Sequence, residues 1–553
     1  MSDDSYTAQG SSWRVRAAIG LGVVILLLVL AAWKGGGSGS ATVETPDDQQ
    51  DRSQAEELER QLSSVLDGLR PERLGVSVDA DDVVDSVNLW WADYREAPGT
   101  VIPQLQTEAV RDVYGEAAFE YASERRFNTR DMSHIRNCLM NRAIVEHIAE
   151  TADTDIDRAM AAFQFVVDNV ELAPGTSPGP PVTPFEVLLL GRGRPDDRAW
   201  LLAEVLRQFG RDCVLIAPSG EPTTGEDSAR LVGVIGAAGE VYLFDVELGL
   251  PIPSGESDPG SWKIARPATL QQARAEDALL RQFDVEGGET YPITAAGLAE
   301  VQVRYVSRSE YSASRFAGLQ QALPAEFATT LVDPLVSTEE GAPGLIARVQ
   351  AAGSGGRWDA ADVAAWDYPD ARTAAFHAAG AEDAPELSQS MRRLAGPRVH
   401  RTEIIDDTTQ IVDIVGNSDR PLRYVRVQQL RGDLTDALVG YGSIRSASAF
   451  VTEAVNDEAR EYSVYWIAVC QYRLGRYESS LGTAGIYLKD YQNGVWSEAA
   501  RQIQAACEAE LGRYDAAVEI LEKASAGGPP SPRDAFLIER WRTMVDQESE
   551  DAS

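Results

Sequence analysis

The sequence predicts an α+β, multidomain and mainly α chain, and three observations predict it. From Asp155 to Val246 two helical patterns are followed by three short strand patterns, the order of an α+β domain. Most of the remaining chain has apolar residues at helical spacing, and the tetrapeptide LGRY stands at Leu474–Tyr477 and again, 37 residues on, at Leu511–Tyr514. Such a period is the mark of stacked helical hairpins. The run Ala17–Trp33, AAIGLGVVILLLVLAAW, carries no charge and predicts an N-terminal transmembrane helix. At 553 residues the chain has room for roughly three to four folded units.

Taken in order, residues 1–16 form a polar N-terminus and residues 17–33 a signal anchor, bracketed by Trp13 and Trp33 as interfacial aromatics. Arg14 and Arg16 precede the run and only Lys34 follows it closely, so the positive charge predicts a cytoplasmic N-terminus and an extracytoplasmic bulk. Trp33 and Lys34 close the run where a cleaved signal peptide would carry small residues. Residues 34–50 begin GGGSGS and read as a flexible linker. Residues 51–150 read as a helical region, with Leu58, Leu62, Val65 and Leu69 at helical spacing, then Trp90 and Trp91 on an amphipathic segment, then Ile135, Leu139, Ile144 and Ile148. The α+β domain spans 151–262. Its first helix, from Asp155 to Asn169, buries Ala159, Ala162, Phe163, Val166 and Val167 on one face. Its second runs from Asp197 to Phe209 and stops at Gly210. Strands follow at 213–217, 230–235 and 240–246. Residues 263–400 read as mainly helical without a nameable motif, 401–546 as helical repeats, and 547–553 as a polar tail.

Composition excludes several functions. Lys and Arg total 50 against 86 Asp and Glu, a net charge of -36, which repels phosphate backbones and excludes nucleic acid as a partner. The four cysteines, Cys138, Cys213, Cys470 and Cys507, have no CxxC spacing and are too sparse for a disulfide framework. The four histidines, His134, His147, His377 and His400, are scattered, so neither a metal site nor a cofactor is expected.

The α+β stretch resembles the transglutaminase-like superfamily, a papain-related fold. That family's signature reads G-x-C-x-D-x-A, then an apolar helix and LRxxG; this chain reads GRPDDRAWLLAEVLRQFGRDCVLIA. Gly193, Asp197, Ala199, Leu206, Arg207 and Gly210 match in register. In the later strand pair, LVGVIGAAGEVYLFDVELGLP, Asp245 stands at the position of the family's acidic residue. The departures decide what the resemblance implies. Pro195 occupies the nucleophile position, and no His lies between His147 and His377. A thiol nucleophile needs both the sulfur and a nearby base, so Pro195 and Asp245 mark a degenerate catalytic centre and no enzyme activity is expected. Asp196 and Asp197, adjacent at a helix N-terminus where the dipole favours carboxylates, are the candidate binding residues left in the motif.

The C-terminal part resembles tetratricopeptide repeats. In the second LGRY unit Ala505, Leu511, Gly512, Tyr514, Ala517, Ala524 and Pro529 fall in that pattern's register. Small residues let paired helices approach, glycine turns the chain and the tyrosine fills the gap. The first unit keeps Ala468, Leu474, Gly475 and Tyr477, and an earlier turn at Gly432 is similar. Tyr477 and Tyr514 are therefore candidate binding residues. The whole reads as a membrane-anchored, non-catalytic scaffold or adaptor with protein or peptide partners and one helix in the membrane. A cysteine-hydrolase-like enzyme with a non-standard site and a structural cell-envelope protein are the alternatives left open.

Overall fold

The helix Pro195–Gln208 is buried almost from end to end, every residue from Asp196 to Gln208 being buried. Its sequence explains this: Ala199, Trp200, Leu201, Leu202, Ala203, Val205 and Leu206 put apolar groups on all sides, the composition of a core helix rather than a surface one. Pro195 opens it, the Asp197 carboxylate accepts the Arg194 N–H at 2.9 Å, and Gly210 ends it with a φ of 68°. Proline at the first turn and glycine just past the last are the favoured punctuation.

The structure is a computed structural model. It describes residues 46–74, 77–173, 182–218, 230–256, 261–337, 341–378, 398–405, 408–415, 422–446, 453–525 and 529–551. The chain divides into two compact units, Met1–Glu56 and Glu57–Ser553. In the first, the described residues are the opening of the helix Pro46–Gly68, which begins inside the stretch expected as a linker. All that follows concerns the second.

Around the central helix lies a small sheet in a mainly helical chain. A short parallel pair, β1 (Glu171–Leu172) and β2 (Arg192–Gly193), precedes it. The main sheet holds β3 (Cys213–Pro218), β4 (Leu231–Ile235), β5 (Val241–Asp245), β6 (Leu250–Pro251), β7 (Val301–Val306) and β8 (Val363–Trp366), in the order β6-β5-β4-β3-β7-β8. All neighbours are antiparallel except β7 and β8. The sheet therefore crosses the boundary expected at residue 262, and β7 and β8 come from the region read as helical. A hairpin of β9 (Arg398–Ile405) and β10 (Thr408–Val415) likewise replaces helix at the start of the expected repeats. Its density of Val, Ile and Thr on either side of a two-residue connection is a strand signal.

The sheet separates two hydrophobic cores. Along β3, Cys213 and Leu215 belong to one, Val214 and Ile216 to the other; along β5, Tyr242 and Phe244 alternate likewise with Val241 and Leu243. The first core contains the helices Asp155–Asn169, Pro184–Leu190 and Pro195–Gln208 together with the helices from Leu422 to the first turns of Ser497–Glu510. The second joins the helices before residue 139 to the middle region.

Beyond Leu422 the chain forms successive helical hairpins: Leu422–Leu430 with Leu434–Ser446, Glu453–Arg473 with Tyr477–Asp490, and Ser497–Glu510 with Tyr514–Ala524, then the helix Pro532–Asp551. The turns at Gly432, Gly475 and Gly512 share one geometry. Each glycine is left-handed and donates three residues back (Gly475 N–H to Tyr472 at 2.9 Å), and the next residue donates five back (Arg476 N–H to Gln471 at 2.9 Å). This is the hydrogen-bonded glycine cap of a helix C-terminus.

The expectation of a transmembrane anchor is corrected. Among the described residues no helix is long and apolar enough to cross a membrane. The 21-residue helix Glu453–Arg473, EAVNDEAREYSVYWIAVCQYR, carries Glu453, Asp457, Glu458, Arg460 and Glu461 in its first half and Arg473 at its end, whereas a span needs about 20 predominantly apolar residues. The run Ala17–Trp33 lies outside the described residues. The membrane partner, the cytoplasmic N-terminus and the extracytoplasmic bulk rested on that run and fall with the anchor.

Candidate functional site

The residues at the positions of the transglutaminase signature form a structural junction. Pro195 is half-buried at the first turn of the central helix. Asp197 accepts the Arg194 N–H and the Tyr368 hydroxyl, the latter at 3.0 Å, and burial holds its carboxyl above the usual range. Asp196 is 2% exposed beside Arg194. Asp245 is wholly buried and accepts four hydrogen bonds: from the Glu247 and Leu248 N–H groups at 2.9 and 2.7 Å, from Arg230 Nε at 2.9 Å and from the Tyr291 hydroxyl at 2.7 Å. Where a catalytic acid would orient an imidazole, this one holds a guanidinium and a phenol.

No thiol is activated. All four cysteines are free and buried. Cys213 packs on β3, and burial pushes its thiol up to about 12. Cys138 lies 3.8 Å from His134 Nε2, one helical turn away, but burial pushes this thiol up to about 12 as well and lowers the imidazole to about 4. Both shifts oppose a thiolate–imidazolium pair. Arg308 donates to His134 Nδ1 at 3.2 Å, and Nε2 meets the Leu331 carbonyl at 3.0 Å, which fixes a neutral ring protonated at Nε2. Arg308 also pairs with Glu204 at 3.3 Å and Glu310 at 3.1 Å, and Arg130 closes the network on Glu310 at 2.9 Å. Among the described residues no cluster of His, Cys, Asp and Glu could hold a metal ion.

A groove of about 1030 Å³ lies elsewhere, between the α+β core and the C-terminal helices. One wall comes from the end of β1 (Glu171), the central helix (Arg198), the residue before β4 (Arg230), the turn after β5 (Glu247, Leu248) and the loop Glu289–Pro292. The other comes from the loop Gln492–Val495, the first turns of the helix Ser497–Glu510 and the start of Pro532–Asp551. The loop is held in place because Glu461 accepts both the Tyr487 hydroxyl at 2.6 Å and the Val495 N–H at 2.9 Å. Asp245 thus serves the groove at one remove, since Arg230 and Tyr291, its partners, both line it.

At the floor, Arg198 is 2% exposed and donates to the Val170 and Val246 carbonyls, each at 2.8 Å. Burial first, and then the like charge of Arg533, bring its guanidinium down to about 10, against the pull of Glu171. Glu171 itself is raised by burial. Asp196, Asp197, Tyr477 and Tyr514 do not line the groove. Tyr477 is half-buried against Tyr472, with ring centroids 5.5 Å apart, and Tyr514 packs on the small core around Trp541. Arg198 stands inside the signature stretch, between Asp197 and Ala199, yet nothing in the sequence singles it out; Glu171, Tyr291, Arg501 and Arg533 carry no local signal either, because only the folded chain brings them together.

Comparison with protein-family models, with curated proteins and with solved structures finds no match to the chain.

Proposed function

We propose that the protein is a non-catalytic adaptor that holds a peptide segment in the groove between a degenerate transglutaminase-like core and tetratricopeptide-like hairpins. The observation that carries this reading is the groove's double lining, one wall from each part of the chain. Its volume of about 1030 Å³ lies at the upper end of small-ligand pockets, about 300–1,000 Å³, and suits a short stretch of polypeptide. Two further facts support it. Proline stands where the family's nucleophile would be, and Asp245 spends its acceptors on the groove's own Arg230 and Tyr291.

The test is retention of a randomised short-peptide pool by the full-length chain. Thr290 is exposed at the groove's edge, so Thr290→Trp should fill the opening, abolish retention and leave the unfolding midpoint unchanged. Retention unaffected by this change would place the binding elsewhere. Amine incorporation or peptide hydrolysis above buffer rates would return the protein to the enzymes.

A further inference from the structure

The groove's charges balance in number, four arginines against four glutamates, but they are not all paired. Arg198, Arg501 and Arg533 line it, and among the described residues none has a carboxylate within ion-pair distance, although this chain has far more acidic than basic residues. The first and last of these lie together. Gly249, left-handed with a φ of 66°, leaves space that both use: a Cβ there would stand 3.0 Å from Arg533 Nη1 and 3.4 Å from Arg198 Nη1. Arg533 Nε is buried without a hydrogen-bond partner. Two guanidinium groups side by side repel each other, and a buried cation that lacks a directly bonded carboxylate is costly. Glu171 is electrostatically coupled to both, and its charge favours theirs, but no ion pair joins it to either among the described residues.

We propose that Arg198 and Arg533 form a receptor for a single carboxylate, the free C-terminus of a peptide. This rests on the peptide-binding reading and names the end of the peptide that is recognised. The planar fork of a guanidinium matches a carboxylate in two parallel hydrogen bonds, and Arg533 Nε is a donor left over for one of them. The rest of the groove argues against a more heavily charged ligand. Glu171, Glu247, Glu289 and Glu498 line the same opening, so a phosphate chain or a polyanion meets four carboxylates for every four arginines. A peptide with one terminal carboxylate and a neutral or basic remainder puts its negative end on the arginine pair and the rest along the glutamates.

The experiment compares a randomised tetrapeptide pool with free C-termini and the same pool amidated, each passed over the immobilised full-length protein. The free-acid pool should be retained and the amidated pool at least about tenfold less, the worth of one charge-assisted hydrogen-bond pair. Arg533→Gln, at a half-buried position, should remove the difference between the pools while circular dichroism stays unchanged. Glu171→Gln should tighten the free-acid pool several-fold, a gain that a damaged fold cannot produce. Equal retention of acid and amide overturns the carboxylate receptor and leaves the peptide groove standing. Retention of neither overturns both. Displacement of the free-acid pool by inorganic phosphate at equal or lower concentration overturns the assignment to a carboxylate.

Discussion

His134 sets the behaviour of the buried polar network with pH. Burial first, and then the positive charge of Arg308, lower its imidazole to about 4, while Glu310, the Leu331 carbonyl and Glu204 pull the other way. The unfolded ring titrates near 6.5. Between about 6.5 and 4 the unfolded chain therefore binds a proton that the folded chain refuses, and stability falls as the pH drops through that window. The loss should reach about 3 kcal/mol at most. Urea unfolding of the native chain and of His134→Gln at several pH values checks it: the variant should lose less stability between pH 6.5 and 4. Equal slopes would mean that the ring is protonated in the folded state. The same burial that silences this imidazole raises Cys138, so the closest thiol–imidazole pair in the described chain is a packing contact.

Helical hairpins were the element most legible in the sequence. LGRY places Gly475 and Gly512 at the turns, and both are left-handed there, at φ 70° and 73°. Nothing lies within 4 Å of a Cβ at either, so Gly475→Ala and Gly512→Ala should cost only backbone strain, roughly 1–2 kcal/mol. Gly432 makes the same turn at φ 91°, but a Cβ there would overlap the His147 ring. Gly432→Ala should therefore be the most destabilising of the three in chemical denaturation, and a reversal of that order would refute the close approach. The strands β3, β4 and β5 were legible because each is bounded by turn residues. Strands β7 and β8 were missed for different reasons. VQVRYV alternates, burying Val301, Val303 and Tyr305, yet it sits among helical stretches that set the reading of its surroundings. The four residues of VAAW are too short to show any period, and only pairing with β7 makes them a strand.

At the scale of the molecule, charge dominates. Eighty-six acidic residues against 50 basic ones repel one another across the surface, and compaction raises that repulsion. Raising NaCl from about 0.1 M to about 1 M shortens the screening length from about 10 Å to about 3 Å. The thermal midpoint should rise by several degrees over that range, measured by circular dichroism. A falling midpoint would show that ion pairs such as Arg130–Glu310 outweigh the net charge. The composition, the helical content, the turns of the hairpins and the proline that opens the central helix were all fixed by local sequence, since each depends on residues within a few positions of one another. The shared sheet, the groove and its arginine pair were decided only by tertiary structure. Arg198 and Arg533 stand 335 positions apart in the chain, and no periodicity can relate two groups whose neighbourhood exists only after the last helix has packed against the core.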